Sequence, residues 1–146
     1  MKVLEEYLNY IEKNKKLSKN TVASYNRDLK KYVEYLNERN INLSDVVEND
    51  IISYLIELEK EDISVASISR MISSIKSYHD YLFFNKILDT DPSKNIKKPK
   101  VKRVDVEILT EDEVDKLLKF EDLSTPKRIR DKAIFEILYG TGIKVT

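Results

Sequence analysis

The sequence predicts an all-α protein, and three observations point there. Only two of the 146 residues are glycine, Gly140 and Gly142, both within the last seven positions. All-β folds need glycine-rich turns, and dinucleotide or phosphate-loop sites need a glycine-rich loop, so residues 1–139 hold neither. Apolar residues recur at 3.6-residue spacing in one segment after another. Hydrophobic residues make up 41% of the chain and charged residues 36%, which leaves enough apolar surface for a core and argues against disorder.

Six helices follow from the pattern. The first spans about residues 2–15, with Leu4, Tyr7, Leu8 and Ile11 on one face. Ser18 is placed to cap the second, about 19–39, whose stripe is Val22, Tyr25, Leu29, Tyr32, Val33 and Leu36. The third runs over about 48–60, carrying Ile51, Ile52, Leu55, Ile56 and Leu58. Ser64 can cap the fourth, about 65–85, with Ile68, Met71, Ile72, Ile75, Tyr78 and Leu82 inward. Residues 86–108 read as a linker, because Asp91-Pro92 and Lys98-Pro99 are poor helix interiors; its end, Val104–Leu109, reads as extended. Thr110 with Glu113 forms a capping box for a helix over about 111–120. Pro126 suits the first turn of the last helix, about 126–139, whose stripe includes Ile129, Ala133, Ile134, Ile137 and Leu138, with Gly140 ending it. The stripes read as bundle core rather than coiled-coil seams, because the helices are short and closely linked.

Composition excludes several kinds of chemistry. With no cysteine there is no disulfide scaffold, thiol catalysis or cysteine-ligated metal. His79 is the only histidine and falls on the core side of its helix, so it reads as packed or partner-bonded rather than as a catalytic base. The tyrosines lie mostly on apolar stripes, and the acidic pairs Glu111/Asp112 and Glu121/Asp122 fit helix-end electrostatics. No metal site is expected. No apolar run approaches 18 residues and no signal peptide is visible, so the expectation is a cytoplasmic protein without a membrane partner.

Net charge is zero, but its distribution is not even. Residues 1–104 carry +3 and residues 105–146 carry −3. The stretch 94–103 holds Lys94, Lys97, Lys98, Lys100, Lys102 and Arg103 without an acid. Such a block suits a solvated linker and equally a strap that tracks phosphates. Two helix faces add to it. On the fourth helix Arg70, Ser74 and Ser77 lie opposite Ile68 and Ile75, flanked by Ser67 and Ser73, with Lys76 beside them. Serine is a mediocre helix former, and a serine-plus-arginine face lets a helix backbone approach a duplex closely while offering donors to phosphate or base edges. The same small residues also suit close packing on another helix, as in a protein–protein module without a DNA role. On the second helix Asn20, Ser24, Arg27 and Lys31 form a polar face opposite Val22 and Leu29, with Thr21 at its edge.

Six segments in order resemble the tyrosine recombinase (phage integrase) family, of the Xer type. They are Leu17–Leu29 (LSKNTVASYNRDL), Ser67–Tyr78 (SISRMISSIKSY), Asp91-Pro92 with Pro99-Lys100, Leu109–Val114 (LTEDEV), Arg130–Ala133 (RDKA) and Leu138–Gly142 (LYGTG). The resemblance implies a SAM-like, four-helix core-binding domain at 1–85, a basic linker at 86–108, and at 109–146 the first helices of a truncated catalytic domain. It implies DNA contacts from Asn20, Thr21, Ser24, Arg27, Ser67, Arg70, Ser73 and Lys76, with linker phosphate contacts from Lys100 and Arg103. The implied partners are double-stranded DNA with inverted-repeat half-sites and further recombinase protomers, and no cofactor is implied.

The sequence also departs from the family. Lys144 stands where the family places its first catalytic arginine, and a lysine cannot reproduce a bidentate grip on phosphate. The family's remaining catalytic groups, including its tyrosine nucleophile, have no counterparts within these 146 residues. The expectation is therefore a DNA-binding portion that does not itself cleave or rejoin DNA.

Overall fold

The computed structural model describes residues 2–61, 63–100, 107–119 and 122–144. They form α1 (Lys2–Lys13), α2 (Lys19–Glu38), α3 (Glu48–Lys60), α4 (Val65–Phe84), α5 (Glu111–Leu118) and α6 (Pro126–Thr141), with a 3-10 turn at Leu43–Asp45. No strand occurs among the described residues, as an all-α sequence requires. The chain divides into two compact units, Met1–Lys102 and Arg103–Thr146.

The first unit is built around α4. Eight of its residues are buried, because α1, α2, α3 and the segment after it all lie against it. Tyr7 and Ile11 of α1, Leu29, Tyr32 and Leu36 of α2, and Ile51, Tyr54 and Leu58 of α3 complete the core. Tyrosine rings fill much of the interior. Tyr7 meets Tyr78 at 5.1 Å between centroids, and Tyr54 lies 5.3 Å from Tyr32 and 4.8 Å from Tyr35. The tilted geometries are those that aromatic quadrupoles favour.

The expected start signals all operate. Ser18 Oγ accepts from the Thr21 N–H, Ser64 Oγ from the Ser67 N–H, and Thr110 exchanges the reciprocal bonds of a capping box with Glu113. Helix ends are managed without glycine in the first unit. Asn40 and Lys86 take φ of 55° and 57°, where glycine is ordinarily preferred. Ile41 and Ile87 N–H then reach back to the carbonyls of Leu36 and Leu82, both at 2.9 Å.

Three expectations about packing are corrected. Ile52 and Ile56 of α3 are exposed, since α3 turns Ile51, Tyr54 and Leu58 to the core instead. In α6, which packs against α5, Ile129, Ala133, Ile134 and Ile137 are exposed and Leu138 half-buried. Gly140 does not end α6; the helix runs on to Thr141, and Gly142 supplies the left-handed cap at φ 64°. Residues 104–106 of the expected extended segment lie outside the described residues, and 107–110 form no regular element.

His79 is fully buried and shares a 3.0 Å hydrogen bond through Nε2 with the Tyr32 hydroxyl. Burial pushes its pKa down from 6.5 to about 4, against a smaller opposing pull from Asp91. The folded state therefore resists protonation that the unfolded chain accepts, so the stability present above pH 6.5 is lost as pH falls towards 4. Between pH 7.5 and pH 5 the wild type should lose about 2 kcal/mol more stability than His79→Gln, read from urea midpoints. Equal losses in both proteins would contradict the assignment.

Candidate nucleic-acid interface

The first two turns of α2 and α4 line one open groove of about 540 Å³. Asn20, Thr21, Ser24 and Tyr25 form one wall, and Ala66, Ser69, Arg70 and Ser73 the other. Its side chains are short hydroxyls and amides, so a ligand can approach both helix backbones. Both helices present their N-terminal turns here, where the partial positive charge of the helix dipole favours anions.

Arg70 is the one full charge in the groove walls, and it is held rather than free. Its Nε and Nη2 donate to Asp28 Oδ2 and Oδ1, both at 3.0 Å, in a bidentate fork from α4 to α2. Asp28 is almost wholly buried while the Arg70 side chain remains 44% exposed. A guanidinium has five N–H donors and the fork uses two, so three remain to face an anion or a base edge. Asp28 thus sets the direction of a cation without consuming it. The pKa of neighbouring Tyr25 is raised, first by the desolvation of that ring and second by the negative charge of Asp28.

The other sequence-predicted residues separate into groups. Asn20 and Arg27 are exposed, and Arg27 Nη2 donates to Ser24 Oγ at 3.1 Å. Thr21 Oγ1 lies 2.9 Å from Ser18 Oγ, and Ser67 Oγ accepts from Ser64 Oγ at 2.9 Å. Ser73 lines the groove, and its Oγ donates to the Ser69 carbonyl. Ser74 is corrected: it is fully buried and donates to the Met71 carbonyl, because α4 is covered on more sides than one amphipathic stripe implies. Ser77 lines a different hollow, with Tyr10, Lys15 and Asp80. Lys31 lies in a groove between α2 and α3.

Lys76 is tied to the segment after α4. Its Nζ donates to the carbonyls of Lys94 and Ile96 at 2.9 and 3.0 Å, so it anchors the basic segment instead of standing free. Asn95 adds a bond to Glu48, and Leu88, Ser93 and Ile96 are buried, so the segment after α4 is bound to the first unit as far as Ile96. Lys98 and Lys100 beyond it are exposed. Lys102 and Arg103 lie outside the described residues. Lys144 is exposed in the second unit.

Sequence reasoning missed Asp28 and Ser69. A signal for Asp28 existed: it sits three residues after Tyr25 and four before Tyr32, an acid on the apolar stripe itself. Among the described residues no cluster of three His, Asp or Glu side chains is arranged to hold a metal, and no helix is long and apolar enough to cross a membrane.

Four helices around one core, with a hydroxyl-lined groove between the second and fourth, define a small helical domain. The family model for the phage integrase N-terminal SAM-like domain matches residues 4–86, and the chain belongs to the phage integrase, or tyrosine recombinase, family. It is 42% identical to a tyrosine recombinase of Caldanaerobacter subterraneus subsp. tengcongensis, over 99% of this chain and 50% of that protein. It is 37% identical to tyrosine recombinase XerD of Oceanobacillus iheyensis, over 98% of this chain and 48% of the relative. With tyrosine recombinase XerC of Roseiflexus castenholzii the identity is 36%, over 98% and 46%. The chain spans about half the length of these relatives.

The Asp28–Arg70 pair predicts an asymmetry. Arg70→Ala strands a buried carboxylate and should cost about 2–4 kcal/mol, whereas Asp28→Ala leaves a half-exposed guanidinium that can turn to water and should cost roughly 1 kcal/mol. Chemical denaturation of the two variants reads the difference; an equal or reversed order would show that the fork is not what holds Asp28.

Proposed function

We propose that this chain is the DNA-binding portion of a site-specific tyrosine recombinase of the Xer type. The observation that carries the reading is the α2–α4 groove, with Arg70 braced by Asp28 between walls of small hydroxyl side chains. Asn20, Thr21, Ser24, Arg27, Ser69 and Ser73 would touch phosphates and base edges beside it. The exposed Lys98 and Lys100, on a segment tied to α4 by Lys76, would add phosphate contacts. Similarity to proteins named tyrosine recombinases supports the same reading.

In this account residues 1–85 recognise a half-site, 86–108 strap across the duplex, and 109–146 begin the catalytic domain. The natural ligand is double-stranded DNA with inverted-repeat half-sites, shared with other recombinase protomers. Strand cleavage and rejoining belong to the whole recombinase, by attack of a tyrosine on the scissile phosphate. Tyr7, Tyr32, Tyr54 and Tyr78 are unsuited to that part: they are buried, and their phenols are pushed up in pKa, Tyr78 to about 12, chiefly by desolvation. Lys144 would place a single point charge where a forked grip on the phosphate is needed.

The test is fluorescence anisotropy of the chain on a duplex of about 30 base pairs with a recombinase-type inverted repeat, against a scrambled duplex, over a salt series. Contact with about five phosphates should give a log–log salt slope of about −4 to −5 and tighter binding to the repeat. Arg70→Lys keeps the charge but cannot hold Asp28 and the duplex together, and should bind about tenfold more weakly. Absence of binding at low salt would overturn the proposal in favour of a helical protein–protein module.

A further inference from the structure

A second groove, of about 210 Å³, runs between α2 and α3 and is not used by the DNA reading. Four carboxylates line it, Glu34 and Glu38 from α2 and Glu57 and Glu61 from α3, against one cation, Lys31 of α2. Its rim already holds one cation in the manner an organic cation is usually held. Arg39 lies 3.8 Å from the centroid of the Tyr35 ring and donates to Glu57 at 2.6 Å. Two features of the groove remain unanswered. Glu34 and Glu61 make no hydrogen bond or ion pair among the described residues. Tyr54, which lines the floor at 4% exposure, has a buried hydroxyl without a hydrogen-bond partner. A buried polar atom left unpaired is costly, and an ammonium has three donors to offer such a site.

The chain carries the complementary group. Lys97, Lys98 and Lys100 are exposed and make no ion pair among the described residues. Pro99 biases Lys98 to an extended backbone, which suits entry into a narrow groove. The base of this segment is fixed by Lys76 and by the Asn95–Glu48 bond. Asn95, Ile96 and Lys97 lie along Ile52, Ile56 and Glu59 of α3. Tyr54, Leu58 and Glu61 follow those three positions by two residues each, which is 200° around a helix and therefore its opposite face. A protomer's own segment thus leaves from the wrong side of α3, and the segment of a second copy does not share that constraint.

We propose that the acidic α2–α3 groove receives the Lys97–Lys100 segment of a second copy of this chain, with a lysine ammonium seated between Glu34, Glu61 and the Tyr54 hydroxyl. A two-fold dimer would make this contact twice. The same lysines would be drawn to DNA, so duplex and groove compete for one segment. The inference does not depend on the DNA reading, because groove and segment are defined by their own charges.

Sedimentation equilibrium of the whole chain tests it, at about 50 mM and about 500 mM salt. The wild type should dimerise at low salt and dissociate at high salt. Glu34→Gln/Glu61→Gln, two surface changes that leave the core alone, should weaken dimerisation about tenfold. Lys97→Glu/Lys98→Glu/Lys100→Glu should abolish it, and mixing that variant with Glu34→Lys/Glu61→Lys should restore a mixed dimer that neither forms alone. A monomeric wild type at low salt, or association indifferent to salt and to the Glu34/Glu61 changes, would overturn the proposal.

Discussion

The contact between α2 and α4 is the constraint on which the rest of the first unit depends. Two polar links cross an otherwise apolar seam. The Asp28–Arg70 fork closes its groove end, and the Tyr32–His79 hydrogen bond lies deeper in the core. Apolar packing alone is tolerant of small shifts, whereas a two-bond fork fixes both the separation and the rotation of the helices it joins. That fixed geometry places the hydroxyl walls of the groove opposite each other and holds Arg70, still 44% exposed, in the groove wall. Structure and candidate function thus rest on the same side chains: Asp28 stabilises the fold by being paired, and the pairing points Arg70 outward.

The segment after α4 extends this logic. It leaves the helix through a left-handed turn at Lys86, buries Leu88, Ser93 and Ile96, and is tied down by Lys76. A basic run in sequence therefore has two parts. Its base is structural, and beyond it Lys97, Lys98 and Lys100 are exposed with their charges unspent. A ligand meeting those lysines finds a segment already committed in direction, which lowers the ordering cost of any contact it makes.

Much of this architecture was legible in the sequence because it is local. Helix starts at Ser18, Ser64 and Thr110 depend on side chains within three residues, Pro126 opens α6, and the helix limits agree with the 3.6-residue pattern to within about two positions. What the pattern could not show was how many neighbours each helix would acquire. α4 is wrapped on several sides, so Ser74 went inside; α3 is covered on one side, so Ile52 and Ile56 stayed out. The groove was legible in part. Asn20, Thr21, Ser24, Arg70 and Ser73 are brought together as their faces suggested, while Lys31, Ser77 and Lys76 are drawn to other neighbours. Asp28 escaped notice because a charged residue on an apolar stripe has meaning only once its partner, 42 residues away, is known.

The central claim is that the α2–α4 groove, organised by the Asp28–Arg70 fork, is the surface that meets DNA. Backbone amide chemical-shift mapping of the ¹⁵N-labelled chain, titrated with the inverted-repeat duplex, addresses it most directly. The account predicts that the largest shifts fall on Asn20, Thr21, Ser24, Ser69, Arg70 and Ser73, with smaller ones at Lys98 and Lys100. Shifts confined to α3, or to α5 and α6, with the groove residues unmoved, would contradict it.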